Sequence, residues 1–178
     1  MDRELNVLFP LDLFYARAAR PLPSVCIIPG TDVPQPYGRL LVGNHDMTPT
    51  LEAFHGDRIE IRVIERILED DVYGRTVVLM LEGSVQPAEF GASLIHLSSF
   101  PSEARERILE GHIPLGTILA TFCIQHISRP QAFLRFESDA MIEDSLRLSG
   151  THTLYGRRNV LLTPHNEVLA DIVEILPP

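Results

Sequence analysis

From Arg58 the chain alternates its side chains in a way that few folds can use. Ile59, Ile61 and Val63 are interleaved with Glu60 and Arg62, the period of two expected of a strand with one buried face. Glu69-Asp70-Asp71 interrupts the pattern. A second strand is expected from Arg75 to Leu81, a turn at Glu82-Gly83-Ser84, and a third strand from about Glu89 to Leu97. Short turns between successive strands predict an antiparallel meander.

Helical signals surround it. Pro101 opens a helix carrying Ala104, Ile108 and Leu109 on one face and ended by Gly111, and Pro114 starts another through Ile118 and Phe122. These helices are expected to cover one face of the sheet. Upstream, Thr48 is expected to cap a short helix with Pro49 in its first position and Gly56 closing it. Residues 123 to 136 read as extended and 137 to 154 have no clear signal. Asn159 to Thr163 and Val168 to Ile175 read as a closing hairpin around Pro164-His165-Asn166-Glu167. Residues 1 to 20 read as a short amphipathic helix or irregular arm, and Pro21 to Gly38 as a surface wrap. The expected class is α+β, an antiparallel sheet with helices packed on it. One domain is expected over residues 1–178, with 1–45 as an N-terminal arm and 46–178 as the core.

Composition narrows the partners. Of 178 residues, 24 are acidic and 15 basic, a net charge of -9, and without a basic stripe this disfavours a nucleic-acid partner. Cys26 and Cys123 each lie in an apolar run and are expected to be buried thiols rather than a disulfide, in keeping with a cytoplasmic location. Pro10, Asp12 and Arg17 break the N-terminal apolar stretch, so neither a signal peptide nor a membrane span is expected. The seven histidines show no zinc-type spacing, so no metal is expected. Neither a Gly-x-Ser-x-Gly elbow nor a phosphate-binding glycine loop with its lysine is present.

Strand parity picks out two charges. Arg75 falls in step with Val77, Leu79 and Leu81, and Glu174 with Ala170, Ile172 and Leu176. Both can point toward a core, where each needs a partner from the protein or from a polar ligand. Both can also be strand-end charges that reach water or pair with each other. A cofactor-free site with one arginine and one glutamate is the functional possibility that the residues leave.

The order of landmarks adds a resemblance. Met47-Thr48 with Glu52 and Gly56, a strand led by Arg75, Pro114-Leu115-Gly116, Tyr155-Gly156-Arg157-Arg158 and Glu174-Ile175-Leu176-Pro177 together resemble the chorismate lyases over residues 46 to 177, as a divergent member. The resemblance implies that family's fold and a buried pocket for a small aromatic carboxylate. It implies conversion of chorismate to a hydroxybenzoate, 4-hydroxybenzoate in the first instance, and pyruvate, with no metal or organic cofactor. Arg75 would bind the ring carboxylate and Glu174 would contact the oxygen at C4, with Met47 and Leu115 as further substrate-binding residues. Asp171 and Glu167 are the alternative acids, and Arg157 or Arg158 could hold the pyruvyl carboxylate or form salt bridges. Two features depart from the family: Leu68 passes to Arg75 by a short turn, and the third strand carries Glu89 before Gly91-Ala92-Ser93 and lacks a second arginine. The rival reading is a small-molecule sensor domain, since effector domains of some bacterial transcription regulators resemble the same fold. The first 45 residues are too short and proline-rich for a winged helix, which favours the enzyme.

Overall fold

The computed structural model describes residues 6–178. Its seven strands form one antiparallel sheet: β1 (Val25–Ile28), β2 (Ile59–Glu69), β3 (Val72–Leu81), β4 (Pro87–His96), β5 (Ile127–Glu137), β6 (Thr153–Leu162) and β7 (Val168–Leu176), in the order β1-β5-β6-β7-β4-β3-β2. The expected meander is β2-β3-β4 and the expected hairpin is β6-β7. β7 pairs with β4 and so joins the two halves.

Six helices cover both faces of the sheet. α1 (Leu11–Arg17) and α6 (Ala140–Leu146) pack Leu11, Phe14, Ile142 and Leu146 against Val78, Phe90, Val173 and Ile175 on one face. α2 (Tyr37–Leu41), α3 (Met47–His55), α4 (Ser102–Glu110) and α5 (Leu115–Thr121) cover the other. The expectation that helices cover one face holds for α4 and α5 and misses the second layer. α6 begins in the stretch without a clear sequence signal, with the Asp139 carboxylate accepting from the Ile142 N–H at 3.1 Å as a cap.

Several local expectations need correction. Of the two readings of residues 1 to 20 the structure shows the helix, α1, which buries Leu11, Phe14 and Tyr15, whereas β1, within the stretch read as a surface wrap, pairs with β5 along one sheet edge. The arm reading of residues 1 to 5 lies outside the described residues. Thr48 does not cap α3, which starts two residues earlier than expected, at Met47, with Asp46 in the cap position. The Gly56 terminus does occur, in the left-handed conformation at φ 69° that a Cβ would disfavour. Leu109 is largely outward-facing, because Ala104 and Ile108 already fill the inner face of α4. Both cysteines are free and exposed, not buried, Cys26 on the edge strand and Cys123 just past α5.

The core on the second face is divided. One apolar cluster gathers Tyr73, Ile95, Ala104, Ile108, Ile118 and Leu161, and another gathers Leu41, Met47, Leu51, Val77, Leu79 and Leu176. Between them the sheet presents polar side chains.

Candidate functional site

Two adjacent cross-strand rows form the floor of the gap. Register places Arg75 of β3 beside Ser93 of β4, Ser93 beside Ile172 of β7, and Ile172 beside Asn159 of β6. The next row runs Val77, Gly91, Glu174, Arg157. Four strands at about 4.8 Å spacing put roughly 14 Å between the two ends of each row, enough for a small organic molecule. The starts of α3 and α5 stand over this floor, with Asp46, Met47 and Thr48 from one and Pro114, Leu115, Gly116 and Leu119 from the other. The cavity so enclosed, with the open space at its mouth counted in, spans about 570 Å³ between protein atoms.

The two walls touch closely at one point. A Cβ on Gly116 would lie 2.9 Å from the Thr48 side chain, so α5 can approach α3 this closely only without a side chain there. Glycine in the Pro114-Leu115-Gly116 turn thus serves helix packing.

Arg75, Met47, Leu115 and Glu174, the four site residues expected from the sequence, all line the cavity. Arg75 is 2 % exposed, yet its Nε and Nη1 have no hydrogen-bond partner among the described residues. Burial pushes its pKa down to about 10, which leaves it a cation at neutral pH. Its guanidinium carbon lies 5.9 Å from the centre of the Tyr73 ring, a cation–π contact that supports the charge without using the N–H groups.

Glu174 is differently placed. Its carboxylate accepts from Arg157 Nε in a buried ion pair, and Arg157 donates to the Leu41, Gly43 and His45 carbonyls at 3.2, 3.3 and 2.9 Å. Arg157 therefore anchors the segment leading into α3 to the sheet floor. Its guanidinium is engaged within the protein, which corrects the idea of a free carboxylate-holding group. Arg158 and Asp171 pair with each other on the opposite face of the sheet, where Arg158 lies over the Phe9 ring at 5.6 Å. Glu167 is exposed in the β6-β7 turn. Neither alternative acid is in the cavity.

Three polar groups not expected from the sequence complete the lining. Glu89 of β4 is 4 % exposed and its Oε2 has no partner. Burial, and then the neighbouring charge of Glu174, hold its carboxyl well above the usual range against the opposing influence of Arg157. Asn159 donates to Ser128 Oγ at 3.0 Å and leaves its own Oδ1 unpartnered. Asp46 accepts from His126 Nε2 at 2.7 Å and leaves Oδ1 unpartnered. The parity that marks Arg75 also marks Glu89, which is in step with Gly91 and Ser93 on β4; the Asp46–His126 contact joins residues 80 apart and has no sequence signal. Among the described residues no cluster of three or more His, Cys, Asp or Glu side chains is placed to hold a metal, and no helix is long and apolar enough to cross a membrane.

No protein-family profile matches the sequence, and no curated protein matches it. Solved structures do match in fold. The effector domain of PhnF from Mycobacterium smegmatis superposes with a TM-score of 0.57 at 11% identity, covering 78% of this chain and 91% of that one. Against the longer PhnF structure from the same organism the covered share of that chain falls to 66% at a TM-score of 0.55, so the likeness centres on the effector part. A ligand-binding domain from Bordetella bronchiseptica, assigned to the GntR family of transcriptional regulators, gives 0.52 at 12% identity over 67% of this chain and 85% of that one. The chain thus has the α+β fold of the ligand-binding domains of GntR-family regulators, a fold related to that of the chorismate lyases.

Proposed function

We propose that this chain is a small-molecule-binding domain that takes an organic carboxylate into the cavity between α3, α5 and the sheet, and holds it without turning it over. The observation that carries the reading is the buried Arg75 guanidinium, whose Nε and Nη1 have no partner among the described residues. A buried cation with idle donors is unfavourable unless an anion completes it, and a carboxylate matches the guanidinium fork. Apolar walls from Met47, Val77, Leu79, Leu115 and Leu119 suit a ring or short hydrocarbon body. The likeness to effector domains of regulators supports a sensing role.

Lyase chemistry is the second reading, favoured by the meeting of Arg75, Met47, Leu115 and Glu174 in one cavity. Against it, the Glu174 carboxylate is already engaged by Arg157, which ties up the group that would have to exchange a proton at the C4 oxygen. Two measurements on the parent protein test the pair of readings. Calorimetric titration with benzoate and 4-hydroxybenzoate should show saturable binding, and incubation with chorismate should release pyruvate no faster than the spontaneous reaction. Pyruvate release well above that rate would replace sensing by catalysis, and no binding of either acid at millimolar concentration would remove the carboxylate assignment.

A further inference from the structure

The cavity holds one more charged side chain than ligand binding through Arg75 requires. Glu89 lies on the strand next to that of Arg75, four residues along from Ser93, the register partner of Arg75, and diagonally from Glu174: its own register partner is Leu79, whereas Gly91, two residues on, faces Glu174. A Cβ on Gly91 would lie 3.0 Å from Glu89 Oε1, so the Glu89 side chain folds back over Gly91 toward Glu174. No cation forms an ion pair with Glu89 among the described residues, since Arg157 is engaged by Glu174 and three carbonyls and Arg75 makes no hydrogen bond to it. Two buried carboxyls sharing the influence of one arginine do not both ionise readily.

We propose that Glu89 is the specificity-determining residue of this site: it stands in the cavity as a neutral carboxylic acid whose O–H donates to the ligand, so that the site accepts a monoanion bearing a hydrogen-bond acceptor. The proposal deepens the carboxylate-binding reading and rests on it. The charges of the groups facing the cavity support it. Arg157 and Glu174 form one neutral pair, His126 and Asp46 form another, and Arg75 alone remains positive. With Glu89 neutral the lining is cationic and attracts one negative charge. With Glu89 ionised the lining is neutral and presents a carboxylate to an incoming carboxylate. Burial and the Glu174 charge both favour the first state. Proton and ligand then bind together, and loss of the Glu89 proton releases the ligand.

The test compares the parent protein with Glu89→Gln, a neutral isostere that keeps a donor. Benzoate, ionised throughout, is titrated calorimetrically from about pH 6 to about pH 9 in buffers of different ionisation enthalpy. The parent should lose at least about tenfold in affinity across that range and take up protons on binding at its upper end, whereas the variant should keep only the smaller part of both effects that loss of the His126 proton beside Asp46 causes. In parallel, unfolding by denaturant is followed over the same range without ligand. Glu89 has a folded-state pKa raised above its unfolded one, so its contribution is full below the unfolded value and declines as pH rises toward the folded one. The parent should therefore lose stability relative to Glu89→Gln with rising pH, with His126 common to both and cancelling. Parallel stability profiles together with the same pH dependence of benzoate affinity in parent and variant would overturn the role of Glu89 and leave the binding reading intact. If benzoate fails to bind the parent at any pH, the carboxylate reading is what fails; diverging stability profiles would then leave the proton on Glu89 standing, and parallel ones would remove it as well.

Discussion

Arg157 and Glu174 face each other across the β6-β7 ladder and form an ion pair closed off from solvent, with side-chain exposures of 0% and 5%. The same guanidinium holds three carbonyls of the segment that leads into α3. A single side chain thus positions the carboxylate on the cavity floor and the helix that forms part of its roof.

Removing it should be expensive. Arg157→Ala leaves Glu174 buried without its cation and frees three carbonyls, and breaking a buried pair in this way typically destabilises by about 3 to 5 kcal/mol. Denaturant unfolding measures the loss. A change under about 1 kcal/mol would mean that water or another cation replaces the guanidinium readily.

His126 should make the domain sensitive to pH near neutrality. Its Nε2 meets the Asp46 carboxylate at 2.7 Å and its Nδ1 meets the Ile124 carbonyl at 2.8 Å, two acceptors that only an imidazolium can satisfy together. The hydrogen bond to Asp46 is the main cause of a raised pKa, opposed by burial. A raised folded-state pKa contributes stability that is full below the unfolded value of about 6.5 and is lost as pH climbs through the folded one. The parent should lose stability over that window more steeply than His126→Gln, and proton NMR should show the imidazole titrating above the ordinary range. Coincident stability profiles would contradict this.

Gly116 should tolerate no side chain cheaply. Its Cβ would stand 2.9 Å from Thr48, so Gly116→Ala must push α5 from α3 at the cavity wall, and overpacking of this kind usually destabilises by about 1 to 3 kcal/mol. Gly116→Ala combined with Thr48→Ala, which removes the Oγ1 that would stand 2.9 Å from the new Cβ, should recover part of the loss in thermal unfolding. A Gly116→Ala protein as stable as the parent would show that the helices have room to separate.

The sequence made the sheet readable where neighbours in the chain are neighbours in space. β2 alternates cleanly, and short turns join it to β3 and β3 to β4, so period and turn chemistry suffice. β1 escapes that logic because Val25 to Ile28 is a four-residue edge strand among prolines, paired with β5 from far along the chain. In the site, parity brought Arg75 and Glu174 to one face, and the same reasoning applied to Glu89 would have added the third charge. The partnership of Arg157 with Glu174 was not legible, since it depends on the β6-β7 register. Asp171 and Arg158 looked equally eligible in the sequence, but their parity on β7 and β6 turns both to the other face, where they neutralise each other.

The most direct test of the account is calorimetric titration of 4-hydroxybenzoate into the parent, Arg75→Ala and Arg75→Lys proteins. Saturable binding to the parent is expected, weakened about ten- to a hundredfold in Arg75→Ala by loss of a charged hydrogen bond. Recovery in Arg75→Lys should be incomplete, because an ammonium cannot reproduce the fork. Arg75→Ala should remain folded, since it removes a buried cation that has no protein hydrogen bonds at Nε or Nη1. A folded Arg75→Ala protein that binds 4-hydroxybenzoate as tightly as the parent would contradict the assignment of this cavity as a carboxylate site.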